Sequence, residues 1–468
     1  MAENLTLPED FFFGAAMSGP QTEGRWHEGG KLENIWDTWS MENIDDFYNK
    51  VGSYVGNDFM TMYEGDLDIL KNDLGLDSMR TSIQWSRLLD KDGNLNPEGA
   101  EWYHRLFAAV RDAGLDLFVN LYHFDMPTYL FRKGGWESRE VVEAYAHYAR
   151  TAFEEFGGEV KYWFTFNEPT VEPEQRYEEG NWWPKYKNFN RARAVQYNIS
   201  IAHSMAVQAF RELQSAGKLV EGARIGLINA FMPPYTKEDP SPADLEAVRM
   251  TDGINNRWWL DLVTKGELPQ DVIETLQERG CVLPVRPGDD EILARGTVDW
   301  LGCNYYQPKR VQAPAKDTAE NGCPIFADPY RWPDAVMNES RGWEVYPKGI
   351  YDFGMSAAKD YPGLEWFVSE NGMGVEREYE HRGADGRIQD PYRVDFVRQH
   401  LEWIARAIND GANCVGYHYW GVIDNWSWSN AFKNRYGFVE VDLMENYRRR
   451  LKESADWLKQ VATTHVID

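Results

Sequence analysis

Cysteine is scarce in this sequence. The four residues Cys281, Cys303, Cys323 and Cys414, in a chain of 468, show neither CxxC nor metal-ligand spacing. They read as reduced, buried small hydrophobes rather than as a disulfide framework or a zinc site. The nine histidines contain no HExxH pattern, and neither GxGxxG nor a GxxxxGK run followed by Ser or Thr occurs, so metal and nucleotide cofactors are not expected. Positive charge is also short, with 49 Lys and Arg against 75 Asp and Glu, a net charge of −26. A field of that sign repels nucleic acid and anionic membrane surfaces, and neither is expected as a partner. Long apolar runs are missing too. The opening stretch "MAENLTLPEDFFFGAAM" starts acidic and its apolar run is short, unlike a signal peptide or membrane anchor, which makes a cytoplasmic location the expectation. No low-complexity stretch, polar linker or solenoid repeat divides the chain, so one domain over residues 1–468 is expected.

What is present is a series of short apolar runs between longer amphipathic stretches: "FFFGAAMSG", "SMRTSI", "LDLFVNLYHF", "KYWFTFNE", "RIGLINA", "VDWLGCNYY", "EWFVSEN" and "CVGYHYWGV". Each fits a buried strand. Helical patterns lie between them, at Pro97 to Ala113, Glu140 to Phe156 and Pro391 to Asp410. Eight alternating units predict a closed (β/α)8 TIM barrel, an α/β fold, with surplus length in loops such as "TKEDPSPADLEAVRMTDG" and the region around "FADPYRWPDAV".

In such a barrel the site lies at the C-terminal ends of the strands, so a polar residue closing an apolar strand has an address. The first strand leads to Gln21 and Glu23, and the second carries Arg80. The third ends at His123 and Asp125, the fourth at Asn167 and Glu168. The sixth ends at Asn304, Tyr305 and Tyr306, the seventh at Glu370 and Asn371, the eighth at Trp420. Any one of these alone is more often a satisfied core polar group. Two glutamates converging with a histidine, an arginine and aromatics point instead to glycoside hydrolysis, which needs one protonated and one ionised carboxyl. The aromatic surroundings of Glu168 in "KYWFTFNE" would raise its pKa, as a general acid requires; donors from Arg80 and Tyr306 would keep Glu370 ionised, as a nucleophile requires. With 20 tryptophans available to stack on sugar rings, Trp420, Trp428 and Trp343 occupy the relevant loops.

Seven motifs in order, "FFFGAAMSGPQTEG", "MRTSIQWSR", "LYHFDMP", "TFNEP", "LGCNYY", "SENGMG" and "YHYWGVIDNWSW", resemble glycoside hydrolase family 1 over nearly the whole chain. The resemblance implies a retaining, cofactor-free β-glycosidase. It puts the acid/base at Glu168 and the nucleophile at Glu370, sugar contacts at Gln21, His123, Asn167 and Trp420, and support of the carboxylates at Arg80, Asn304 and Tyr306.

One loop departs from most β-glucosidases of the family, which read "DNFEW" where this chain reads Asp424-Asn425-Trp426-Ser427-Trp428. Their glutamate holds the sugar's 4- and 6-hydroxyls. Serine removes that charge, which at ~4 Å would repel a phosphate by on the order of 4 kcal/mol per pair of unit charges at an effective dielectric of about 20. Ser427, Lys433 and Tyr436 then resemble the Ser, Lys, Tyr signature of the 6-phospho-β-glycosidase branch. Members acting on galactosides commonly carry lysine where Asn434 stands, so Lys433 is shifted by one position. Trp428 is expected beside carbon 4 of the sugar and resembles the phospho-galactosidases, whereas "AAMSGPQTEGRW" and "LYHFDMPTYL" resemble the 6-phospho-β-glucosidases. The implied substrate is a small phosphorylated β-glycoside, a 6-phospho-β-glucoside first, with 6-phospho-β-galactosidase or dual activity as the alternative. Tyr129 and Trp343 are candidate aglycone platforms. A sugar-phosphate binding protein on the same fold is the non-enzymatic alternative, and it would be expected to lack one of the two carboxyls.

Overall fold

The computed structural model describes residues 5–468. Eight parallel strands close into a barrel: β1 (Phe12–Ala16), β2 (Ser78–Ser82), β3 (Asp116–Asn120), β4 (Tyr162–Asn167), β5 (Arg224–Ala230), β6 (Trp300–Asn304), β7 (Trp366–Glu370) and β8 (Cys414–Trp420), with β8 pairing back onto β1. All eight runs read as strands in the sequence are found. Helices fill the connections, among them α1 (Phe59–Asp68), α2 (Pro97–Asp112), α3 (Arg139–Phe156), α4 (Phe189–Ser215), α5 (Pro242–Asp252), α6 (Lys348–Asp360) and α7 (Pro391–Asn409), with α8 (Ser454–Thr464) after β8. The helix α2 shows why these segments wind. Pro97 occupies the first turn, where its missing N–H costs nothing, and Trp102, Tyr103, Leu106, Phe107 and Val110 recur on one buried face. The acidic stretch expected as loop contains α5 instead. Ser241 and Asp244 close a reciprocal capping box around Pro242, which satisfies the first turn and starts the helix.

The lower half of the barrel is plugged by aromatics. Phe118 lies 5.3 Å from Trp300, Trp300 5.0 Å from Phe367 and Phe367 5.7 Å from Phe164, measured between ring centroids. Glycine makes room for them: a β-carbon at Gly416 would come within 2.3 Å of the Phe12 ring. Filled below, the barrel can admit a ligand only at its C-terminal end. The pairing slips register there, between Phe164 and Asn167 on β4 and between Val368 and Glu370 on β7. Such bulges re-aim the side chains that follow, and both precede a glutamate of the site. Among the described residues no helix is long and apolar enough to cross a membrane.

Candidate active site

Glu370 ends β7, buried beneath the mouth of the barrel. Arg80 on β2, fully enclosed, donates from Nη2 to Glu370 Oε1 at 2.6 Å and to Asn167 Oδ1 at 2.9 Å, while its Nη1 donates to Ser369 Oγ at 2.6 Å. Tyr306 donates its hydroxyl to Glu370 Oε2 at 2.7 Å. Both oxygens of this carboxyl are thus held from different strands. Burial pushes the Glu370 pKa up; Arg80, and then Tyr306, pull it back, leaving it above the ordinary value. The donors therefore moderate the effect of burial without reversing it.

Glu168, just past β4, has a different environment. Its backbone lies in the left-handed region at φ 48°, a conformation that costs a non-glycine residue on the order of 1–3 kcal/mol and persists where neighbouring contacts impose it. Here the Glu168 N–H donates to the Ile228 carbonyl at 2.8 Å and the Asn167 N–H to the Tyr122 carbonyl at 2.9 Å. Its carboxyl receives Asn304 Nδ2 at 3.0 Å, and Asn304 also reaches Asn167 Oδ1 at 3.1 Å. Burial first, and the neighbouring Glu370 charge second, push the Glu168 pKa up to about 8. At neutral pH one carboxyl of the pair carries a proton, because two charges so close in a water-poor pocket are unfavourable.

Around the pair, His123 is buried, and burial holds its pKa well below the ordinary value, so the ring is neutral. One ring nitrogen faces Asn167 Nδ2 at 3.5 Å and the other has no hydrogen-bond partner. Its backbone is fixed by Asp125, which accepts from the His123 and Trp85 N–H groups at 3.1 and 3.0 Å. Trp420 and Trp428 stack near the imidazole, with centroids 5.7 and 5.9 Å away. Trp428 in turn rests on Trp36 at 4.3 Å, in a left-handed backbone conformation at φ 52°. Gln21 is held by Ser18 at 2.9 Å and by the Trp426 carbonyl at 2.9 Å, which ties the first strand end to the loop after the eighth. Trp343 lies 5.4 Å from Tyr306, at the edge of the carboxyl pair.

Several residues at strand ends do not join. Glu23 is absorbed by Arg87 at 2.8 Å, Gln84 at 2.6 Å and Tyr103 at 2.9 Å. Tyr305 donates to the Tyr346 carbonyl, and Asn371 bridges the Tyr305 carbonyl and the Tyr417 hydroxyl. Tyr129, expected as an aglycone platform, belongs to a one-turn helix whose Thr128 and Leu130 are buried. Lys133 Nζ lies 5.7 Å from the centroid of the Tyr129 ring.

The loop Asp424–Gly437 closes over this end. Asp424 anchors it by accepting from the Gly437 N–H at 2.8 Å, with Lys452 at 3.3 Å and Arg435 at 3.5 Å. Ser427 and Tyr436 are both buried at this end of the barrel. Lys433, expected as the phosphate-binding ammonium, is instead paired with Glu376 at 2.7 Å and half exposed. Asn434 is buried and donates to the Ser340 carbonyl at 3.1 Å. Sequence reasoning passed over Ser369, Asn425, whose buried amide has no partner on either atom, and Arg341, whose guanidinium lies 4.1 Å above the Trp343 ring. A basic residue two places before a tryptophan already placed in the site was the available signal for the last. A separate cavity of about 760 Å³ is lined by Glu174, Lys309, Arg310, Tyr330 and Glu344, and neither Glu168 nor Glu370 borders it.

The profile of glycosyl hydrolase family 1 matches residues 3–467. Among curated relatives, a 6-phospho-beta-glucosidase, GmuD, of Bacillus subtilis (strain 168) is 42% identical over 466 residues, 98% of each chain. A 6-phospho-beta-galactosidase of Staphylococcus aureus (strain MRSA252) is 34% identical over 99% of each. In three dimensions the chain resembles a family 1 β-glucosidase from Thermotoga maritima, at 29% identity with TM-score 0.87 over 100% of both chains. It also resembles the GH1 β-glucosidase of Exiguobacterium antarcticum B7, at 30% identity with TM-score 0.88 over 98% of this chain and 99% of that one. The match takes in both glutamates, the strands that carry them and the loop that covers them, and the chain belongs to glycosyl hydrolase family 1.

Proposed function

We propose that the protein is a retaining 6-phospho-β-glucosidase that hydrolyses cytoplasmic 6-phospho-β-D-glucosides, such as cellobiose 6'-phosphate or aryl β-glucoside 6-phosphates, and releases glucose 6-phosphate. Glu370 attacks the anomeric carbon as the glycosidic C–O bond breaks, and Glu168 gives its proton to the departing oxygen. A glycosyl ester on Glu370 results. Glu168, now a carboxylate, takes a proton from water as that water attacks the same carbon. Glu370 leaves as a carboxylate, and two inversions give net retention, a route that calls for carboxyls roughly 5 to 5.5 Å apart. The protonated Glu168, raised to about 8, and the doubly held Glu370 support these roles. The presence of both also speaks against a mere sugar-phosphate binding protein. His123, Asn167, Gln21 and Trp420 would take the sugar hydroxyls and face, Trp428 the edge near carbon 4, and Trp343 the aglycone.

The observation that carries phosphate specificity is the pair of buried hydroxyls, Ser427 and Tyr436, where most β-glucosidases of the family hold a carboxylate. Both can donate to phosphate oxygens, and neither repels them. The names of the curated relatives agree with this reading. The test is a side-by-side assay of p-nitrophenyl β-glucoside, its 6-phosphate and the galactose 6-phosphate analogue. The expected order of kcat/KM is phosphoglucoside, then phosphogalactoside, then plain glucoside. A wild-type enzyme that prefers the plain glucoside loses the phospho-specific assignment and keeps the retaining β-glycosidase.

A further inference from the structure

A dianionic phosphate held only by hydroxyls lacks a counter-charge, and the cations near the loop are already engaged. Lys433 pairs with Glu376 at 2.7 Å, Arg435 with Asp424 at 3.5 Å and Lys452 with Asp424 and Glu378. Arg393 pairs with Asp390 at 2.8 Å and with Glu378. Arg341 differs: among the described residues its guanidinium makes no ion pair and no hydrogen bond, and its Nε is buried without a partner. In a chain of net charge −26, an unpaired arginine beside a pocket is a conspicuous feature.

Its position is fixed from several sides. Arg341 sits in the turn of a small hairpin, where Met337–Asn338 pairs with Trp343–Glu344. Asn338 Nδ2 donates to the Gly374 carbonyl at 3.1 Å, and the Glu376 N–H donates to Ser340 Oγ at 3.1 Å. Gly374 lies flat against the Tyr436 ring, where a β-carbon would come within 2.6 Å of it. Asn434, at the position where related phospho-galactosidases commonly carry lysine, grips the Ser340 carbonyl at 3.1 Å. The residue that replaces the lysine thus fastens the segment that bears the arginine, and the nearby Arg341 charge draws the Tyr436 pKa down against the larger upward push of burial.

We propose that Arg341 supplies the cationic ligand of the substrate's 6-phosphate, in place of a lysine at position 434. This rests on the phospho-glycosidase reading above. Guanidinium meets phosphate through two parallel N–H donors, and stacking on Trp343 holds its plane. Ser427, Tyr436 and Arg341 would then enclose the phosphate from two separate loops.

The experiment compares wild type, Arg341→Met and Arg341→Lys on p-nitrophenyl β-glucoside 6-phosphate and on the unphosphorylated glucoside. The reading is the ratio of the two kcat/KM values. Loss of a charge-assisted contact should lower that ratio by about 10- to 100-fold in Arg341→Met, chiefly through KM for the phosphorylated substrate, with Arg341→Lys intermediate. A ratio within threefold of wild type, whether both activities persist or fall together through a disturbed Trp343, overturns the assignment and leaves the phospho-glycosidase reading intact. A wild-type ratio below one overturns both.

Discussion

At the carboxyl pair each partner comes from a different part of the barrel wall: Arg80 from β2, Asn167 and Glu168 from the end of β4, Asn304 from β6, Glu370 from β7. In the loop Asp424–Gly437 the polar groups are instead held by other loops, with Lys433 on Glu376, Asn434 on Ser340 and Gln21 on Trp426. The wall is a rigid template of paired backbone, so it can keep Glu168 in a strained conformation and enforce a proton on it. The loop is a surface that can exchange one side chain for another while its anchor, Asp424, stays in place. The proposed function assigns reaction chemistry to the first and substrate choice to the second, which is the division expected where loops vary over a constant scaffold.

The largest break in that comparison is Glu370→Gln. An amide cannot form the glycosyl ester, so turnover should fall by about 10⁴-fold or more, and a 2-fluoro-glycoside that traps wild type should leave no adduct detectable by mass spectrometry. Substantial residual turnover would place the nucleophile elsewhere. On the loop side, Ser427→Glu restores the carboxylate typical of the family's β-glucosidases. The ratio of phosphoglucoside to plain glucoside kcat/KM should drop by about 10³-fold, the equivalent of on the order of 4 kcal/mol of repulsion. The wall and the loop are separable if the first change abolishes both activities and the second changes which substrate is used.

How much of this could be read beforehand follows the same division. Buried strands leave a two-part signature, an apolar run and then a polar residue, and all eight strands were legible because the barrel wall is apolar on both faces. The address alone could not separate Glu370 from Glu23 or Asn371, since a strand end can turn its side chain inward or into the helical layer. The bulges before Asn167 and Glu370, which decide that turning, have no sequence mark. In the loop, nearness in sequence and availability of charge are different things. Lys433 and Arg435 stand beside Ser427 and Tyr436 in the chain and are both paired with acids, while the proposed phosphate cation, Arg341, lies on a hairpin much earlier in the sequence.

Glu168 offers a smaller effect that sharpens the account of the wall. The acid must be protonated, so kcat/KM should decline as pH rises through about 8, and on the low side as Glu370, itself raised above its ordinary value, takes up a proton. A folded-state pKa above the unfolded value of 4.5 means that the folded protein binds the extra proton. The associated stability is present below 4.5 and is lost as pH climbs toward 8. Glu168→Gln should therefore be more stable than wild type at pH 8, by about 1 kcal/mol or more, and show no gain at pH 4. Denaturant titrations at the two pH values check this. An equal effect at both would mean that the carboxyl is not strained by its charge.

The smallest expected effect belongs to Lys433→Ala. The ammonium is half exposed and satisfied by Glu376 at 2.7 Å, so to bind phosphate it would have to leave that partner and extend across the loop. Removing it deletes a surface ion pair worth on the order of 0–1 kcal/mol. The ratio of phosphorylated to plain substrate kcat/KM should shift by less than about threefold, and its dependence on ionic strength should stay nearly unchanged, because the charge lost is already balanced. If instead the KM for the phosphoglucoside rises by about tenfold and salt no longer affects it, the lysine swings from Glu376 to the substrate on binding. The loop would then use an adjustable cation of its own, in contrast to the fixed partners of the barrel wall.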